Sequence, residues 1–145
     1  MPVDDHPTLT WSQVREGDEL PTVTMEITLR RLMIDVAGTR DLYPIHHDRE
    51  FARANGARDI FVNTMFYEAL FGRIATDWAG PEGFLRRLRF SMRAPNCLGD
   101  TIRSRGWVTA TREDADGRYA DLEIHLDNQL GDDATVAHLT VELPG

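Results

Sequence analysis

The sequence contains no lysine, and all 16 of its basic residues are arginine. That absence excludes Schiff-base and pyridoxal-phosphate chemistry, the P-loop lysine and any lysine general base. Serine is scarce too: only Ser12, Ser91 and Ser104 occur, none in a nucleophile-elbow context, which argues against a serine hydrolase. Cys97 stands alone, so neither an internal disulfide nor a CxxC metal framework is available, and a reducing compartment fits. The histidines His6, His46, His47, His125 and His138 show no HExxH-type spacing, and no metal site is expected. No apolar run approaches the length of a membrane span, and Met1 to Trp11 has no apolar h-region of a signal peptide. Positive charge is in deficit, with 24 acids against 16 bases and a formal net charge of -8. Such a surface repels phosphate backbones and anionic lipid, so neither nucleic acid nor membrane is expected as a partner. A cytoplasmic protein is the expectation.

What is present suffices for a core. The 145 residues are 41% hydrophobic and 28% charged, the composition of one ordinary domain over 1–145 and not of a disordered tail. Residues 1–20 read as an irregular entry, and Thr22 to Ile27 as a short strand. Thr28 is placed to cap a helix carrying Leu29, Leu32, Met33 and Val36, with Gly38 placed to end it. Asp48 is the cap expected for a two-turn helix closing at Gly56. Thr64 to Ala79 is the longest helical segment and is apolar on nearly every side, which predicts a helix enclosed by the rest of the protein.

The second half alternates with period two. Leu88, Phe90 and Met92 interleave with Arg87, Arg89 and Ser91, and Ile102 to Thr111 is a long β-type run. Ala120, Leu122, Ile124 and Leu126 alternate with polar residues, as do Ala137, Leu139, Val141 and Leu143. Four such segments predict an antiparallel meander with one buried face. Helices first and strands after is an α+β pattern, solved economically by an antiparallel sheet around one helix.

Ionisable groups are densest in the loop Arg40-Asp41-Leu42-Tyr43-Pro44-Ile45-His46-His47-Asp48. Pro44 fixes its own φ and biases Tyr43 toward extended backbone, so the loop is shaped, and Asp41 and His46 can converge on one water molecule. Taken alone, an Asp and a His five residues apart also fit a solvated loop. His47 reads as a surface residue, His125 and His138 as polar-face strand residues, and Cys97 as an inert thiol. Arg86, Arg87, Arg89, Arg93, Arg103 and Arg105 either meet phosphates or form solvated strand faces.

Asp41-Leu42-Tyr43-Pro44-Ile45-His46-His47-Asp48 resembles the hydratase motif D-x-N-P-[IL]-H-x-D of the MaoC-like family. Phe51 to Gly56, Val14 to Pro21, and Arg89 to Thr101 are similar to that family's A-x-x-x-G stretch, opening segment and R-F-x-x-P-V-x-x-G-D-T strand pair. The resemblance implies a hot-dog fold, a curved antiparallel sheet around one long central helix. It implies an enoyl-CoA hydratase that adds water across the 2,3-double bond of an acyl-CoA, with CoA part of the substrate and no separate cofactor. Asp41 and His46 would be catalytic. Thr64, Asn63 and Tyr43 would lie at the oxyanion and substrate positions, where the family's His-Gly pair and Asn stand. The Thr64 N–H can donate to an oxyanion, or Thr64 can be a plain helix cap.

Asp59-Ile60-Phe61-Val62-Asn63 and Thr76-Asp77-Trp78-Ala79-Gly80-Pro81, with His46 to Arg49, are similar to the small subunits of bacterial steroid side-chain enoyl-CoA hydratases. That resemblance implies a bulky acyl group and a homodimer or a heterotetramer with a second MaoC-like chain. Two other readings stand beside it: a non-catalytic acyl-binding subunit, and a thioesterase on the same fold using Glu68.

Overall fold

The computed structural model describes residues 7–145; Met1 to His6, and with them part of the segment read against a signal peptide, lie outside the described residues. Five strands, β1 (Thr24–Glu26), β2 (Phe84–Met92), β3 (Thr101–Glu113), β4 (Arg118–Asn128) and β5 (Gly131–Glu142), form one antiparallel sheet in the order β1-β3-β4-β5-β2. Three helices, α1 (Leu29–Thr39), α2 (Arg49–Ala54) and α3 (Thr64–Ala79), precede β2, and α3 lies against β2 and β5. This is the hot-dog arrangement.

The alternation of β4 does the inner work. Ala120, Leu122, Ile124 and Leu126 are buried beneath Tyr67, Leu70, Phe71 and Ile74 of α3, while Asp121, Glu123 and His125 point outward. Each fully buried large apolar side chain of this set contributes about 1.5–3 kcal/mol relative to exposure.

Three expectations need correction. The four strands are not a simple meander: β3, β4 and β5 are, but β2 pairs with β5, and Leu88 sits opposite Leu139. The segment Arg89 to Thr101 is therefore no strand pair; its two strands lie apart in the sheet, since β2 gains a complete partner only on the free edge of β5. The helix α3 is not enclosed either. Tyr67, Leu70, Phe71, Ile74, Ala75 and Ala79 are buried, but Thr64, Met65, Glu68, Ala69, Arg73, Thr76 and Asp77 are exposed, because one sheet covers one side of a helix. The described part of the entry segment is irregular as expected and is tied to β3, with Leu20 N–H donating to Gly106 O at 2.9 Å and Gly17 N–H to Val108 O at 2.9 Å.

The caps set the lengths. Thr28 accepts from the Arg31 N–H at 3.2 Å, and Asp48 accepts from the Phe51 N–H at 3.0 Å, as expected of N-caps. Gly38 does not end α1; the helix runs on to Thr39 and stops at Arg40, which takes the left-handed conformation with φ 56°. Gly80 ends α3 with φ +83°, and a Cβ there would stand 2.6 Å from the Pro7 carbonyl oxygen, so only glycine lets the entry segment cross.

Candidate active site

Asp41 and His46 are brought together. The left-handed Arg40 turns the chain out of α1, and a single 3-10 turn, Pro44–His46, carries His46 back toward it. Asp41 Oδ2 lies 3.4 Å from His46 Nε2, and Asp41 Oδ1 accepts the Tyr43 N–H at 3.4 Å. The other ring nitrogen, His46 Nδ1, is 2.8 Å from the Phe61 carbonyl. A carbonyl oxygen only accepts, so Nδ1 carries a proton and Nε2 is the atom free to take or give one. The Phe61 ring packs edge-on against the imidazole with centroids 5.2 Å apart. The His46 side chain is 10% exposed and that of Asp41 26%, so the pair is sheltered but reachable.

The other expected site residues fall around this pair. Tyr43 is exposed, edge-on to His46 at 6.4 Å and to Phe51 at 5.6 Å, on the solvent side of the pair. Asn63, not Thr64, is the N-cap of α3: its Oδ1 accepts the Phe66 N–H at 2.9 Å and its Nδ2 donates to Thr39 Oγ1 at 2.8 Å. Both ends of the Asn63 amide are thus engaged within the protein. Thr64 is the exposed first residue of the helix, and the amides of Thr64 and Met65 have no acceptor inside their own helix.

Asp35, Thr39 and Phe61 escaped the sequence reading. Asp35 is buried at 9% exposure, and its Oδ2 accepts the Asn63 N–H at 3.3 Å. Burial pushes its carboxyl above the usual range; the Asn63 N–H and the charge of His46 pull it down, and Asp41 pushes it up. A signal was there: an acid between Leu32 and Val36, on the apolar stripe of an amphipathic helix. Phe61 acts through its backbone carbonyl, which no side-chain pattern reveals.

An apolar hollow of about 260 Å³ opens beside Phe61, walled by Val62, Tyr67, Met92, Ala94 and Pro95. Of the six arginines considered for phosphate, Arg86 pairs with Glu142, Arg93 with Asp133 at 3.9 Å, and Arg105 with Asp127 and Asp133; among the described residues Arg87, Arg89 and Arg103 make no ion pair. His47 is exposed with Nε2 3.0 Å from the Leu42 carbonyl, and Glu68 lies on the open face of α3. Cys97 is buried, and burial pushes its thiol up, away from the thiolate a nucleophile needs. Among the described residues no group of three or more His, Cys, Asp or Glu is placed to hold a metal ion, and no helix is long and apolar enough to cross a membrane.

With this geometry in view, the MaoC like domain model matches residues 13–128. The chain belongs to the MaoC-like family. It is 39% identical over 105 residues to the 3-oxo-4,17-pregnadiene-20-carboxyl-CoA hydratase beta subunit of Mycobacterium tuberculosis, covering 72% of this chain and 76% of that protein. A chain of the ChsH1-ChsH2 complex of Mycobacterium tuberculosis superposes with a TM-score of 0.82 at 30% identity, over 89% of this chain and 98% of that one. The (R)-hydratase of A. caviae involved in PHA biosynthesis superposes with a TM-score of 0.80 at 24% identity, over 90% and 98% of the two chains, and shows the shared fold. Within this MaoC-like chain the D-x4-H pair sits just past the end of α1, with His46 tied to the Phe61 carbonyl three residues before α3 begins.

Proposed function

We propose that this MaoC-like chain hydrates a 2-enoyl-CoA, and that the acyl group is a bulky, ring-bearing one of the steroid side-chain type. The observation that carries the reading is the Asp41–His46 pair, 3.4 Å apart, with Nδ1 of the imidazole committed to Phe61. With a second proton on Nε2, His46 is the acid and Asp41 the base. A water held by both loses a proton to Asp41 as its oxygen bonds to C3 of the alkene. His46 Nε2 delivers its proton to C2, and the charge that builds on the thioester oxygen returns to the carbonyl. Proton transfer from Asp41 to His46 restores the pair. Both new bonds form on one face of the alkene, because one water and one acid sit on the same side. The free amides at Thr64 and Met65 supply fixed donors for the thioester oxygen, where the helix dipole also favours negative charge.

Shape and likeness support the reading of the partner and the acyl group. The hollow beside Phe61, about 260 Å³, is below the roughly 300–1,000 Å³ of drug-sized ligand pockets. A polycyclic acyl group therefore needs walls from a second chain. Exposed apolar side chains flank the site: Ile34 at 59%, Leu42 at 71% and Tyr43 at 55% exposure. Such a rim suits cover by a partner and by the acyl group. The likeness to a hydratase beta subunit and to a chain of a two-component complex supports a second MaoC-like chain in that place. CoA enters as part of the substrate, and the chemistry asks for no other cofactor. A lone buried Cys97 suits a cytoplasmic setting.

The test is to express the chain with a MaoC-like partner and compare kcat/KM for a ring-bearing enoyl-CoA and for crotonyl-CoA, following alkene absorbance and free thiol in parallel. The expected result is loss of alkene without thiol release, and a higher kcat/KM for the ring-bearing substrate. Thiol release would make it a thioesterase; a preference for crotonyl-CoA by the isolated chain would make it a short-chain hydratase; no turnover would make it a binding subunit.

A further inference from the structure

Asp35 is a buried acid that makes no ion pair among the described residues, although it is only 9% exposed; the charge of His46 reaches it without direct contact. It occupies the core-facing stripe of α1 with Leu32 and Val36, both buried, where an apolar residue would pack without desolvating a carboxyl. What it does instead is tie α1 to α3. Its Oδ2 accepts the Asn63 N–H at 3.3 Å, and its backbone carbonyl accepts the Thr39 hydroxyl at 2.6 Å. The Thr39 oxygen accepts from Asn63 Nδ2 at 2.8 Å, and Asn63 Oδ1 accepts the Phe66 N–H at 2.9 Å.

The ends of this clamp are informative. Thr39 stands two residues before Asp41, and Asn63 immediately precedes Thr64. A second tether, from His46 Nδ1 to the Phe61 carbonyl at 2.8 Å, joins the same two segments from the other side of the loop. Between them, the base, the acid and the free amides of α3 are held in one frame. Removing the Asp35 carboxylate takes away one of the two direct bonds from α1 to Asn63 and leaves the Thr39–Asn63 bond to hold the end of α1 to the start of α3 alone.

We propose that Asp35 is a positioning residue for hydration: its carboxylate accepts the Asn63 N–H and, together with the Thr39–Asn63 bond, holds the amino end of α3 against the Asp41–His46 loop. The role rests on the hydratase reading above. Asp35 itself touches neither water nor substrate; it sets the distance between the group that activates water and the donors that receive the thioester oxygen. Displacement of about 1 Å in such a frame costs about 100-fold in rate.

The experiment uses the chain together with its partner and three variants: Asp35→Ala, Asp35→Asn and Thr39→Val. Asp35→Asn keeps an oxygen to accept the Asn63 N–H, and Thr39→Val removes the bridging hydroxyl at nearly constant volume. Three quantities are read: kcat and KM on an enoyl-CoA, Tm, and the absorbance band of bound para-dimethylaminocinnamoyl-CoA, which moves to the red when its thioester oxygen is held by N–H donors. Asp35→Ala and Thr39→Val should lower kcat by about 10- to 100-fold with KM within about threefold, and should shrink the red shift. Asp35→Asn should restore most of both. If Asp35→Ala and Thr39→Val lower only Tm and keep wild-type kcat and red shift, Asp35 is a structural residue and the proposal is overturned. Should Asp35→Ala fail to fold, Asp35→Leu, which fills the apolar site without an acceptor for the Asn63 N–H, decides by the same readouts. A wild-type complex that neither hydrates nor shifts the band overturns the hydratase reading and this role with it, whereas an active wild type matched by its variants overturns this role alone.

Discussion

Replacing His46 by asparagine separates its chemistry from its place in the fold. Asparagine carries an N–H₂ near the position of imidazole Nδ1, so His46→Asn can keep the donor that reaches the Phe61 carbonyl at 2.8 Å. It has nothing at the position of Nε2, the atom 3.4 Å from Asp41. Loss of a positioned acid or base costs about 10²- to 10⁴-fold in rate, which is about 2.7–5.4 kcal/mol of transition-state free energy. Stability should change by less than about 1 kcal/mol, since the hydrogen bond to Phe61 survives. His46→Ala loses that bond as well and leaves the Phe61 carbonyl without its partner, so it should cost about 1–3 kcal/mol more; the edge-on ring packing is lost in both variants. The assay pairs turnover of an enoyl-CoA, followed at the alkene band, with urea unfolding of the same preparations. A His46→Asn protein with turnover within roughly a factor of three of wild type would refute the assignment of Nε2 to proton transfer. Equal destabilisation by both variants would refute the account of the Phe61 tether.

Other consequences concern the frame around the site. Asp41→Asn should lose about 10²- to 10⁴-fold in turnover with the fold retained, because its carboxylate serves no core contact; near-full activity would remove it from the mechanism. Asp100 is 1% exposed and accepts from Arg58 at 2.6 Å, so Arg58→Leu should cost about 2–3 kcal/mol, with the Cys97 and Gln129 donors and the half-exposed Arg58 side chain limiting the loss; chemical denaturation reads it, and a change near zero would contradict it. Burial opposes a charge on His125, but Glu123 and Asp133 outweigh it and raise its pKa above 6.5. With the folded pKa above the unfolded one, that contribution is present below about pH 6.5 and fades as pH rises through the folded value; Tm should therefore fall more steeply above pH 6.5 in wild type than in His125→Gln, and parallel curves would refute it. The nine-residue edge strand β2 pairs on one side only, so light scattering should show a dimer or larger assembly at catalytic concentrations.

Much of this protein was written in local pattern. The span Thr64 to Ala79, the caps at Thr28 and Asp48, and the alternation Ala120-Leu122-Ile124-Leu126 depend on residues within a turn or two of one another, and such preferences act whatever the rest of the chain does. The pair Asp41 and His46 was legible for a similar reason: Pro44 between them restricts the loop that joins them. Period two in Leu88-Phe90-Met92 announces a strand but says nothing about its neighbour. Pairing of β2 with β5 joins residues some fifty positions apart, a choice made by which edge is free once β3, β4 and β5 have zipped. Even the inner face changed in detail. The register shift between Leu85 and Arg87 puts Leu85 on the face of Leu88 and Phe90, all three half-buried, while Met92 at the end of the strand is exposed.

By itself, then, the amino-acid order determined the helices, the strands, the inward faces of β4 and β5 and the loop that holds Asp41 and His46, because each rests on short-range sterics and on the period of apolar side chains. Only the tertiary structure decided that α3 keeps one face open, since a single sheet can cover a helix from one side alone. It also decided that Asn63 caps α3 while holding Thr39, and that Asp35 reaches the Asn63 amide across 28 positions of sequence. A hydrogen bond between remote residues depends on where two helices come to rest, and that is settled by how their apolar faces share one core.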